Sequence, residues 1–88
     1  MNKRILVLAR RDASEAMRVA AGLTIRNNAV DFVFMIEPTR TSTGKIENFD
    51  MLQLAEILPR SLIKSIPDTV PCDNLADLIQ QADRVVSL

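Results

Sequence analysis

The chain has 88 residues, a size at which folding buries only about 60–65% of the surface that the unfolded form exposes. One domain over residues 1–88 with a thin core is expected, and a partner chain would help to cover it. Eleven basic and eleven acidic residues cancel, which argues against a general nucleic-acid binder with a basic excess on one face and removes the self-repulsion that opposes self-association.

Hydrophobic residues make up 48% of the chain, yet the aromatic residues are three phenylalanines, so the core must be aliphatic. A single cysteine rules out an internal disulfide and with it a disulfide-stapled secreted scaffold. With no histidine there can be no Ser-His-Asp arrangement, and no His/Cys cluster can hold a metal. Neither metal nor cofactor is expected. Lys3-Arg4 before an apolar run imitates the start of a signal peptide, but the run ends after five residues in two arginines, too short for a signal's apolar core. No run reaches the length of a membrane span. The expected compartment is the cytoplasm, with no membrane partner.

Ile5-Leu6-Val7-Leu8-Ala9 has no polar residue on either side of the pleat. That suits a central parallel strand covered on both faces. Arg10 and Arg11 follow it, then a helix from Ala13 to about Arg26. Asp12 and Glu15 have capping-box spacing at its start. Ala13, Ala16, Met17, Ala20 and Thr24 share one helical face, widened by Val19 and Leu23. Glu15, Arg18, Gly22 and Arg26 form the polar stripe. Asn27-Asn28 offers a residue tolerant of the left-handed conformation at the helix end.

Val30 to Ile36 reads as a second strand, stopped by Glu37-Pro38. Thr39 to Lys45 is a polar loop. Asn48 or Asp50 can cap a second helix, with Met51, Leu54, Ala55 and Leu58 as its apolar face, ended by Pro59. Leu62 to Ile66 is predicted as a third strand and Pro67 to Cys72 as a turn-rich connection. A third helix, Leu75 to about Ala82, turns Leu75, Leu78, Ile79 and Ala82 inward. Arg84 to Leu88 closes the pattern as a fourth strand.

This β–α alternation predicts an α/β fold, a small three-layer α/β/α domain around a four-stranded parallel sheet. Right-handed crossovers favour the flavodoxin-like order 2-1-3-4, with a switch point between strands one and three. Ligands of open α/β sheets bind at such a point, beyond the carboxyl ends of the strands. Arg10, Arg11, Arg40 and Lys45 would line that rim and could attract a small anion. Cys72 would lie near Arg10 or Arg11, where a guanidinium makes a thiol more nucleophilic. Asp73 works against this. Thr41-Ser42-Thr43-Gly44-Lys45 is not a phosphate loop, because position 39 is Thr and Ile46 follows the lysine. The first turn has no glycine, so the dinucleotide fingerprint is missing. It carries Arg10-Arg11 where a response-regulator receiver has acids.

Arg4 to Leu8 leading to Glu15-Ala16-Met17-Arg18-Val19-Ala20-Ala21-Gly22-Leu23, the strand Val30 to Met35, and Leu78 to Leu88 together resemble the DsrE/DsrF-like sulfur-relay family. These patches cover about half of the chain and are mostly core-facing, a pattern that many small α/β folds share. The resemblance implies a flavodoxin-like domain that assembles with itself or with a related DsrE-like subunit. Active members carry persulfide on a cysteine between a late strand and the next helix, and Cys72 is the sole counterpart here. Other members lack that cysteine and serve as structural subunits. The family's Asp-Gly after the second strand is replaced by Glu37-Pro38-Thr39, and a helix and strand are missing before the final helix. Three functions stand beside one another: an accessory self-assembling domain, a sulfur carrier or sulfurtransferase using Cys72, and a small-anion or nucleotide-binding module at the switch point.

Overall fold

The structure is a computed structural model and describes residues 3–63, 66 and 68–88. Its elements run β1 (Arg4–Ala9), α1 (Ala13–Ile25), β2 (Ala29–Phe34), α2 (Phe49–Leu54), β3 (Pro59–Ser61), β4 (Val70–Pro71), α3 (Leu75–Gln81) and β5 (Arg84–Ser87). The five strands form one sheet in the order β4-β3-β2-β1-β5, every pair parallel.

The apolar run after Arg4 becomes β1, and Ile5 through Ala9 are all buried. The pleat divides them. Ile5, Val7 and Ala9 join Ala13, Ala16, Met17 and Ala20 of α1, Leu52 of α2, and Phe32 and Phe34 of β2 in one cluster. Leu6 and Leu8 join Val33 and Leu78 of α3 in another on the opposite face. The molecule is therefore layered, with α1 and α2 on one side of the sheet and α3 on the other. Phe34 lies edge-on to Phe32 at 4.9 Å and stacks on Phe49 at 6.3 Å, which ties α2 to the sheet.

Local signals in α1 are as expected. The Asp12 side chain accepts a hydrogen bond from the Glu15 N–H at 3.0 Å, satisfying one of the free donors at the helix start. Asn27 takes the left-handed conformation, φ 68°, just beyond the other end. Glu15 pairs with Arg18 one turn on, and the hydrogen bond from Arg18 holds the Glu15 carboxyl below its ordinary range. A lowered value means that the pair favours the folded state above the unfolded carboxyl value and that this support is lost as pH falls through the folded one.

The strand count and order differ from the four-stranded 2-1-3-4 expectation. β1 is interior, but β3 lies beside β2 rather than β1, and the last strand takes the place beside β1. The reason is the pairing of the helices. α2 packs on the same face as α1, so a second right-handed crossover carries the chain one strand further in the same direction. The direction reverses only when α3 crosses the other face. The extra strand, β4, falls in the expected Pro67–Cys72 connection. Proline is tolerated there because β4 is an edge strand.

Other boundaries shift. α2 stops at Leu54 because Glu56 adopts φ 58°, and Pro59 opens β3 instead of ending a helix. The Leu62–Ile66 strand is not found where expected: β3 has already ended at Ser61, and residues 64 and 65 lie outside the described residues. Ile79, expected inward, is 44% exposed.

Asp12→Ala should lower stability by about 1 kcal/mol through the lost cap. In a domain of this size that is a fall of about 4–8 °C in Tm by calorimetry. An unchanged Tm would show that the cap is not held in solution.

Candidate functional site

The carboxyl end of β1 delivers Arg10, Arg11 and Asp12 to the rim. Their three consecutive N–H groups converge on one acceptor, the Leu88 carbonyl oxygen, at 2.7, 2.8 and 3.4 Å. The donors that could have cradled an anion are thus engaged by the chain itself. The Arg10 guanidinium, exposed, donates from Nη1 to Ser87 Oγ at 3.3 Å. The reversal of direction lies between β1 and β5, so the arginine pair does sit at the switch point, but beside the last strand rather than the third.

Arg40 and Lys45 flank a tight turn. Thr41 N–H donates to Lys45 O at 2.7 Å and Gly44 N–H to Thr41 O at 2.9 Å. Gly44 has φ 84°, which a glycine adopts freely. Arg40 Nη1 donates to Gly44 O at 3.2 Å. Both cations line a cleft of about 190 Å³ that also holds Asp50 and Asp68. Two carboxylates offset two cations there, so the cleft has no net pull on an anion.

Cys72 is half-buried at the end of β4, and its N–H extends the β3–β4 ladder to Ser61 O at 2.8 Å. Its side chain packs with the Leu6, Leu8, Val33 and Leu78 cluster under α3. Sγ lies 3.8 Å from Asn74 Oδ1 as a weak donor. The thiol borders a cavity of about 340 Å³ with Ser61, Ile63, Ile66, Thr69 and Asp73 among its walls. Ser61 is buried and its hydroxyl is fully engaged, donating to Ile63 O and accepting from Ile63 N–H. The charged group on the described wall is the Asp73 carboxylate, which repels anions.

Cys72 and the arginine pair are therefore not neighbours. β4 and β1 are separated by β3 and β2, and three strand spacings are roughly 14 Å. The expectation that they meet followed from placing the third strand beside the first, and it falls with that order. Two features escaped the sequence reading. One is the Arg60 Nε, buried with no hydrogen-bond partner among the described residues; its position on β3 was hidden because Pro59 looked like a stop. The other is a set of cations at the amino end of the sheet, Lys3, Arg26 and Arg84, which line one cleft. Only the pairing of β1 with β5 brings them together.

Comparison with known proteins adds no relative: no family model, no curated protein and no solved structure matches the chain.

Replacing Arg10 or Arg11 by Gln should leave the alkylation rate of Cys72 within about twofold between about pH 6 and 9, since roughly 14 Å exceeds the ~8 Å screening length at physiological salt. A loss of threefold or more in iodoacetamide rate would put a guanidinium beside the thiol after all.

Proposed function

We propose that the chain is a DsrE-like accessory domain of cytoplasmic sulfur metabolism that works by assembling with a second copy or a related subunit. The observation that supports this is the uneven cover of the sheet. Parallel sheets are normally covered on both faces. Here α1 and α2 serve one face, and α3, seven residues long, serves the other. A helix with its side chains is about 10 Å across, roughly two strand spacings, so much of a five-stranded face stays open.

Three exposed apolar residues, Val85, Val70 and Leu62, map to that face, whereas the most exposed, Ile25 at 86% and Leu54 at 83%, belong to α1 and α2 on the other side. Val85 is in register with Leu6, and Val70 with Arg60, itself opposite Val33. Val70, Val85 and Leu62 are 41–43% exposed. Completing the burial of such side chains is favourable by about 25 cal/mol per Å² of apolar surface, and a net charge of zero offers no opposition. A stable interface needs about 800 Å² from each partner, so the outer side of α3 and its exposed Ile79 would have to join the open flanks in it.

A second reading is favoured by the cavity beside Cys72. In a sulfur carrier, the Cys72 thiolate attacks the outer sulfur of a donor persulfide, R–S–SH. Cys72–S–SH forms and the donor leaves as R–S⁻. The cavity has room for a terminal sulfur, although no cation on its described wall would stabilise the anion. The small-anion reading at the switch point has weaker support, because Leu88 fills the loop's donors and Asp50 and Asp68 offset Arg40 and Lys45.

Sedimentation equilibrium should give a mass at least twice 9.8 kDa at micromolar concentrations, and Val85→Glu should shift it toward the monomer without unfolding the domain. A strictly monomeric, stable wild-type protein sinks the assembly reading. The carrier reading predicts that a low-molecular-weight persulfide adds the mass of one sulfur atom to the wild type and nothing to Cys72→Ser. An unmodified wild type in intact-mass spectra would dismiss it.

A further inference from the structure

The amino-terminal end of the sheet, opposite the rim, carries an unbalanced cluster of positive charge. Lys3 just before β1, Arg26 at the end of α1 and Arg84 at the start of β5 line one cleft of about 310 Å³, together with Ile5, Leu23 and Asn28. The three cations are exposed. Among the described residues the ion pairs are Arg4–Asp31 and Arg18–Glu15, so none of the three is ion-paired, and no carboxylate is among the residues lining the cleft.

Strand alternation explains the imbalance. Arg84 is in register with Ile5 and shares its face. The neighbouring positions, Arg4 and Asp83, fall on the other face. There Arg4 Nε engages Asp31 at 2.9 Å, and the Asp83 carboxylate accepts the Arg4 N–H at 2.8 Å. The acids near this end of the sheet are thereby held on the α3 side, and the cations are left on the α1 side. Two of the last carbonyls of α1 are engaged within the chain. Leu23 O accepts from Arg26 N–H at 3.2 Å and Asn28 Nδ2 at 3.0 Å, and Thr24 O accepts from Asn27 N–H at 3.1 Å.

We propose that this cleft binds a phosphate group, either free phosphate or a phosphate monoester whose small apolar body rests on Ile5 and Leu23. Three cations exceed what one carboxylate would offset, and a phosphate group carries about 1.5 to 2 negative charges at neutral pH. The two guanidiniums match its oxygens with paired donors, and the ammonium adds a third contact. The floor is apolar, since Ile5 is buried and Leu23 packs against the same cluster. Nucleic acid is disfavoured as the source of the phosphate, because the rest of the surface carries no basic excess. The site lies at the opposite end of the strands from Cys72 and is independent of the assembly reading.

The test is a titration of the uniformly ¹⁵N-labelled full chain at low ionic strength, with inorganic phosphate in one arm, phenyl phosphate in a second and chloride at matched ionic strength as control. Saturable shifts should be confined to the amides around Lys3, Leu23, Arg26 to Asn28 and Arg84, with a Kd on the order of 1 mM. Arg26→Gln and Arg84→Gln should each weaken binding by about two- to fivefold, as expected for exposed charge contacts. Added NaCl should weaken it further. Tighter binding of phenyl phosphate assigns a monoester; equal binding assigns free phosphate. Shifts that fail to saturate, that centre on Arg10–Arg11 or Arg40–Lys45, or that persist undiminished in both variants overturn the proposal. Both arginines are exposed, and matching circular dichroism and amide dispersion of the variants separate lost binding from lost fold.

Discussion

The two-sided burial of β1 is the constraint on which the rest depends. Leu6, Val7 and Ala9 have no exposed surface at all. A strand of this kind is stable only if both faces are covered, and its alternation decides what covers each. Ile5, Val7 and Ala9 need small partners at close approach, and the alanines of α1 provide them. Leu6 and Leu8 need a second layer, and the only described helix on that side is α3. β5 is then drawn to the free edge of β1, where four register pairs extend the sheet. The loop after β1 is closed by the same event, because the Leu88 oxygen arrives among the N–H groups of Arg10, Arg11 and Asp12.

The same alternation sorts charge. Arg4, Asp31 and Asp83 lie on the α3 side and bond with one another, while Arg84 is turned the other way with Lys3 and Arg26. A chain with no net charge can therefore have a locally cationic cleft without any basic run in its sequence. The clusters that do look basic in the sequence are offset in space. Arg10-Arg11 faces donors already engaged, and Arg40 and Lys45 share their cleft with two carboxylates.

What could be read from the residues alone was what local physics decides. The five-residue apolar run, the Asp12 cap, the alanine face of α1 and the left-handed Asn27 all depend on neighbours within a few positions, and all are where the pattern put them. The α/β class and parallel sheet followed from β–α alternation. Strand order did not, because it depends on which face α2 chooses. That choice rests on contacts such as Phe34 with Phe49, fifteen positions apart, that no local pattern encodes. The β3 and β4 strands were obscured for a related reason. Each is three residues or fewer and contains a proline, and proline is a breaker in local rules but is admissible at a strand start or a sheet edge. The candidate site inherited the error, since placing Cys72 beside Arg10 needed the third strand next to the first.

The link between β3 and β4 explains why the fold is lopsided. It covers residues 62–69, shorter than the dozen or so residues of a usual parallel crossover. Of its described residues, Ile66 is buried in the α1–α2 cluster and Ile63 packs against it. That side is covered by two helices, with Ile63 and Ile66 beside them. The other side must be spanned by one passage, from β4 at one edge to β5 at the other. A single helix on that path can shield the centre, over Leu6, Leu8 and Val33, but not both flanks. Val70 and Leu62 are left on one flank and Val85 on the other, and the exposed Ile79 on α3 lies between them. The exposed apolar surface on the α3 side is thus a consequence of topology, because adding length to α3 would extend cover along the strands and not across them.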